Sequence, residues 1–176
     1  MSVFEAIKNR RSVRAFSNQP VSDEEVEKLI EAARWAPSAG NLQPWEFIVV
    51  REPEIKHDLC EAAGDQTFIE EAPVVVVVCA DPQRSAKGYG SRGINLYCLQ
   101  DTAAATQNML LTAQAMGLAT CWVGAFHEEE AKKVLKIPDG VRPVAIVPVG
   151  HAAEKPRVRP RRLLSAIVHR EAYGRR

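Results

Sequence analysis

Nothing in this 176-residue chain has the length or apolarity of a membrane span. The longest unbroken apolar run, Ala72 to Ala80, falls far short of the roughly 20 residues a helix needs to cross a bilayer. Met1 is followed by polar, helix-compatible sequence instead of an apolar stretch behind a basic start, so a cytoplasmic location is expected. Cysteine is scarce. Cys60, Cys79, Cys98 and Cys121 lie far apart with no C-x-x-C pair, which argues against a disulfide framework and for buried thiols in a reducing compartment. His57, His127, His151 and His169 are scattered, and there is no H-E-x-x-H motif, so no metal site is expected. No Ser-His-Asp or Cys-His grouping is visible either, so no side-chain catalytic residue is assigned. Charge of one sign is missing too. With 23 Lys+Arg against 22 Asp+Glu the formal charge is +1, which gives no overall field to hold nucleic acid or a membrane surface.

What is present points to a self-supporting core. A chain of this length matches one domain, residues 1–176, able to bury roughly 70% of its unfolded surface. Helical and strand signals alternate. Ser2 can cap a helix through Arg10 with Val3, Phe4 and Ile7 on one face, and Ser22 with Glu25 forms a capping box for a second helix that Pro37 ends. Phe47–Val50 and Val74–Ala80 read as buried strands, with a helix over Glu54–Ala63 between them. Asp81–Gly93, polar and carrying Gly88, Gly90 and Gly93, reads as a mobile loop over a site. A long helix from Ile94 to Met116 is expected next, stopped by Gly117. A strand over Cys121–Val123, a helix over Glu128–Leu135 and a strand over Val141–Val149, interrupted by Pro143 and Pro148, complete the series.

The long helix bears on assembly. Asp101 is its only charged residue, and apolar residues occur on every side, so it is not expected to face water. Burial within one chain would account for this. So would packing against its own copy across a two-fold axis, with Thr102, Thr106 and Gln107 hydrogen-bonding between the copies, and the homodimer is the preferred reading.

Three segments carry binding chemistry. Arg10, Arg11, Ser12 and Arg14, at the end of the first helix, offer forked guanidinium donors and a hydroxyl to a compact anion such as phosphate; a solvated basic turn is the alternative. Pro37-Ser38-Ala39-Gly40-Asn41-Leu42-Gln43-Pro44-Trp45 is a stiff loop with polar groups suited to the edge of a flat heterocycle, or simply a rigid turn capping its own backbone. Gly117 to Ala125 places small residues where a ring can approach backbone N–H groups, with Trp122 as a wall; a core strand ending in a turn would read the same way. A basic run follows, Lys155, Arg157, Arg159, Arg161 and Arg162.

These blocks, in this order and spacing, resemble the FMN-dependent nitroreductase family, and the likeness runs nearly end to end. The resemblance implies an α+β nitroreductase-like fold, a central mostly antiparallel sheet flanked by helices, with the long helix at a homodimer interface and an FMN shared across each seam. By position, Arg10, Arg11, Ser12 and Arg14 would hold the phosphate and ribityl or pyrimidine edge, and Arg159 or Arg161 would complete the phosphate site. Pro37, Ser38 and Ala39 would lie against the isoalloxazine from the partner chain, Asn41 and Gln43 would reach its polar edge, and Val123, Gly124 and Ala125 would line it near N5. NADH or NADPH and a small oxidised acceptor (a nitroaromatic, quinone or enone) would then use one open face in turn. A non-turnover FMN store, or a divergent member that fragments flavin or removes halogen, stays open as an alternative.

Overall fold

The computed structural model describes residues 1–176. Val74–Ala80 (β2) is buried along its whole length, as a run of β-branched residues requires, and it forms the middle of the molecule. It pairs antiparallel on one side with Trp45–Val50 (β1) and on the other with Arg142–Gly150 (β4). The short strand Ala119–Thr120 (β3) adds antiparallel to the far edge of β4, giving the order β1-β2-β4-β3. Pro143 and Pro148 do not interrupt β4. Pro143 pairs beside the irregularity at Val78/Cys79, where the ladder tolerates a missing N–H, and the Pro148 carbonyl accepts from the Cys121 N–H at 3.3 Å.

Because side chains alternate along a strand, β2 feeds two cores. Val75, Val77 and Cys79 pack with Leu59, Ile69 and Ile146 on one face; Val74, Val76 and Val78 pack with Leu29, Met109 and Val147 on the other. The first face is covered by Pro53–Ala62 (α3), Phe68–Glu71 (α4) and Glu128–Leu135 (α7); the second by Asp23–Arg34 (α2) and Cys98–Ala115 (α6). This is the α+β arrangement anticipated from the sequence. Both anticipated serine caps form: Ser2 caps Val3–Asn9 (α1) and Ser22 caps α2, each with its reciprocal glutamate contact.

Several elements differ from expectation. The segment 81–93 is not a loop: Asp81 accepts from the Arg84 N–H at 3.0 Å and Pro82 occupies the first turn, so Pro82–Arg92 (α5) is a helix kinked at Gly90. A π-type turn, Gly93–Tyr97, joins it to α6, so the long helix is two pieces. Gly93 is required there, since a Cβ would stand 2.4 Å from the Ser85 carbonyl oxygen. In place of a strand over Cys121–Val123, β3 stops at Thr120 and Val123 makes a single bridge to Ile146. Val3, Phe4 and Ile7 do not seal a core face. They remain 71%, 75% and 51% exposed, and α1 buries only Ala6. The hydroxyls of Thr102 and Thr106 donate back to the Cys98 and Thr102 carbonyls at 2.8 Å each, and both residues are buried within their own chain, out of reach of a two-fold partner.

The tail ends in a four-residue helix, Leu164–Ile167 (α8), with no buried residue.

Candidate functional site

The first basic cluster is built on the edge of the sheet. The Val13 N–H donates to the Thr120 carbonyl at 3.0 Å and Ser12 bridges Thr120, so residues 10–14 extend the sheet beyond β3. Val13 and Phe16 are buried beneath, which turns the polar side chains outward. The returning tail lies alongside, fixed by Ser17 N–H to the His151 carbonyl and Ala153 N–H to the Ala15 carbonyl, both at 2.9 Å. Between them is a cavity of about 390 Å³ lined by Arg10, Arg11, Ser12, Arg14, Glu154, Pro156, Arg157, Arg159 and Arg161.

Its electrostatics are lopsided. Six guanidinium groups face one carboxylate, Pro156 is the one apolar side chain in the lining, and none of these arginines takes part in a salt bridge of the molecule. Burial, then the charges of Arg11 and Arg161, hold the Arg10 guanidinium below its ordinary pKa, the sign expected of cations gathered without counter-ions. The Glu154 carboxylate accepts the Arg14 backbone N–H at 2.6 Å, and the Arg14 guanidinium stacks 5.8 Å from the Phe68 ring centre. Cys121 lies beneath; burial pushes its thiol up, while Arg14, Ser12 and Arg10 pull it down. A phosphate group is the ligand such a cavity suits, since it supplies negative charge and several acceptor oxygens in one compact unit. Phe68 and Glu154 were not singled out from the sequence, where neither stands in a basic or glycine-bearing run.

The second segment sits on α6. Ala39–Asn41 forms a 3₁₀ turn in which Gly40, Asn41 and, just beyond, Gln43 have positive φ of 58°, 55° and 51°. Such a backbone has to be held. The Gln43 N–H donates to the Ser38 hydroxyl at 3.0 Å, and the Gln43 side-chain amide donates to the Asn41 carbonyl at 3.1 Å. The Ala39 N–H donates to both carboxylate oxygens of Asp101, at 3.2 and 3.3 Å. Asp101 is only 7% exposed and meets no cation; burial raises its pKa and the Ala39 N–H partly offsets that. Its role as the clamp of this turn was not foreseen, although its isolation in an apolar helix was the available signal. From the other side the Tyr89 hydroxyl comes within 3.0 Å of where a Gly40 Cβ would stand, so α5 closes directly on the turn. Pro37 and Asn41 remain exposed.

Of the third segment, Val123 is buried through its bridge to Ile146, whereas Gly124 and Ala125 are exposed. The Gln66 side-chain amide donates to the Ala125 carbonyl at 3.1 Å. Gly124 and Trp122 help line a cavity of about 240 Å³ with Leu99, Thr102 and Ala103 of α6, and the Arg142–Glu128 ion pair stands at that cavity. The arginine cavity contains no residue of the 37–43 turn.

Comparison with known proteins fits this geometry. The model of the nitroreductase family matches residues 7–68 and 57–151. A protein of Archaeoglobus fulgidus, provisionally named NADH dehydrogenase/NAD(P)H nitroreductase, is 39% identical over 153 residues, covering 85% of this chain and 84% of that one. FMN reductase (NADPH) of Bacillus subtilis is 32% identical over 186 residues, covering 98% of this chain and 75% of the relative. The crystal structure of NADPH:FMN oxidoreductase from Vibrio harveyi, solved with NAD+, superposes with a TM-score of 0.89 at 29% identity, over 97% of this chain and 77% of that one. The chain belongs to the nitroreductase family.

Proposed function

We propose that residues 1–176 form one FMN-binding domain, and that two copies of this NAD(P)H-dependent oxidoreductase hold FMN between them and pass electrons by ping-pong from a nicotinamide to a small oxidised acceptor. The cavity of Arg10, Arg11, Ser12, Arg14, Arg159 and Arg161 is the observation that carries this reading: its guanidinium groups outnumber the single carboxylate of Glu154 and form no ion pair, which suits a phosphate site. Bound flavin would supply the redox chemistry, so no side chain has to act as nucleophile. The protein's part is to bind and orient. Ser12 and the arginines take the phosphate end, Gly124 and Ala125 let a flat ring approach exposed backbone, and the Asp101 clamp presents Pro37, Ser38, Ala39, Asn41 and Gln43 to a ring held largely by the other copy.

Two further features favour a dimer. No residue of the 37–43 turn lines the arginine cavity of its own chain, which accords with a ring that meets the turn of a second copy. Exposed Val3 of α1 and Trp35 line a groove with Leu111 and Met116, and Phe4 and Ile7 of α1 are exposed as well. The names FMN reductase and NADPH-flavin oxidoreductase carried by relatives support the flavin and nicotinamide assignments. The test is direct. Purified protein supplied with FMN should retain it through gel filtration as a dimer, and NADH or NADPH should bleach its visible absorbance under anaerobic conditions. A monomer that takes up no FMN would sink the proposal.

A further inference from the structure

The segment 82–100 contains Arg84, Lys87 and Arg92 and no aspartate or glutamate, so the element that closes on the 37–43 turn is wholly cationic. Two of these cations are not simply solvated. Arg84 is fixed by its Nε–H to the Leu42 carbonyl, which leaves its place set by the turn itself. Arg92 has no carboxylate partner; its Nε–H donates to the Tyr97 hydroxyl at 2.8 Å and its guanidinium stacks 5.3 Å from the Tyr97 ring centre. Tyr97 in turn meets Tyr89 edge to face at 5.0 Å, and Tyr89 is the residue whose hydroxyl abuts Gly40. The series Arg92–Tyr97–Tyr89–Gly40 is therefore a continuous path from an oriented, exposed cation to the turn that faces the flavin in the proposed function. Tyr89 and Ile94 remain 41% and 37% exposed, giving apolar surface next to the charge.

We propose that Arg92, oriented by Tyr97, is a subsite for an anionic group on the planar molecule that visits the open face, so that the enzyme favours negatively charged aromatic substrates over neutral ones of the same shape. This rests on the proposed flavin chemistry and deepens it. An arginine whose fork is oriented in advance loses less freedom on meeting a carboxylate or phosphate than a free surface arginine would. The tyrosines supply the flanking surface on which an aromatic ring can lie. The anion has two sources, the carboxylate of an acceptor or the 2′-phosphate of NADPH.

The experiment compares 4-nitrobenzoate with its neutral methyl ester as oxidants of FMN-loaded enzyme previously bleached by NADH, in stopped flow. Wild type should prefer the acid. In Arg92→Gln the acid-to-ester ratio of second-order rate constants should fall about 1.5- to fivefold, the size of an exposed ionic contact. Raising ionic strength should shrink the wild-type ratio in the same direction without any variant. Bleaching by NADPH and NADH is measured in parallel; a loss confined to NADPH in Arg92→Gln assigns the subsite to the donor's phosphate. If neither the acid-to-ester ratio nor the NADPH-to-NADH ratio responds to the substitution or to salt, this inference is overturned while the oxidoreductase reading stands. Failure of both nicotinamides to bleach the flavin takes down both.

Discussion

At the scale of single residues, Asp101 separates charge from position. Burial holds its carboxyl above the ordinary aspartate value of 3.8, so the folded protein binds the proton more tightly than the unfolded chain does. The sign follows: stability is greatest below the unfolded pKa and falls as pH rises through the window between the unfolded value and the raised folded one. Asp101→Asn keeps an acceptor for the Ala39 N–H but cannot ionise. Denaturant unfolding of the two proteins should therefore show wild type losing ground to the variant as pH rises above about 4, and parallel curves would contradict the assignment. Asp101→Ala removes the clamp itself and should weaken FMN retention while α6 persists by circular dichroism. Arg14 makes the complementary case at the phosphate end. Arg14→Ala should weaken FMN binding by about 1.5–3 kcal/mol, read by fluorescence titration, because it deletes charge-assisted bonds to phosphate.

At the scale of elements, α5 and α6 matter most. Gly93→Ala drives a Cβ to within 2.4 Å of the Ser85 carbonyl, backbone that cannot swing aside, and should cost about 1–3 kcal/mol in thermal unfolding. Leu111 of α6 is only half-buried in one chain and lines the groove beside Trp35, so Leu111→Glu should yield folded monomer by light scattering and, with it, loss of FMN. Leu110, 2% exposed, belongs to the core of its own chain, and a charge there would test folding instead.

These elements also mark where the sequence was readable. β2 and the two serine-capped helices were legible because an unbroken β-branched run and a capping box are local signals, complete within a few residues. α5 was hidden by glycines: Asp81-Pro82 is a helix start, yet Gly88, Gly90 and Gly93 outweighed it, and the close packing of Gly88 against Leu42 and of Gly93 against Ser85 is visible only in three dimensions. The arginine cluster was legible as chemistry. Its partners Phe68 and Glu154 were not, nor was Gln66, bonded to Ala125, since each is brought in by long-range pairing with no pattern of its own.

At the scale of the whole molecule, the two cores share β2; Cys60, Cys79 and Cys121 lie in the first of them, and Cys98 on α6 is buried as well. Burial pushes the Cys79 thiol up to about 12. Native protein should therefore react negligibly with a thiol reagent at neutral pH and release four equivalents only on unfolding, a stoichiometry read by absorbance. No helix is long and apolar enough to cross a membrane.

The arginine cavity has a consequence for handling the protein without its cofactor. Six like charges gathered around a small volume repel one another, and whatever anion enters relieves that repulsion in the folded state alone. Apo protein should thus melt at a higher temperature in inorganic phosphate or sulfate than in chloride of equal ionic strength. Choice of buffer then becomes a first, cofactor-free assay of what the cavity is built to hold.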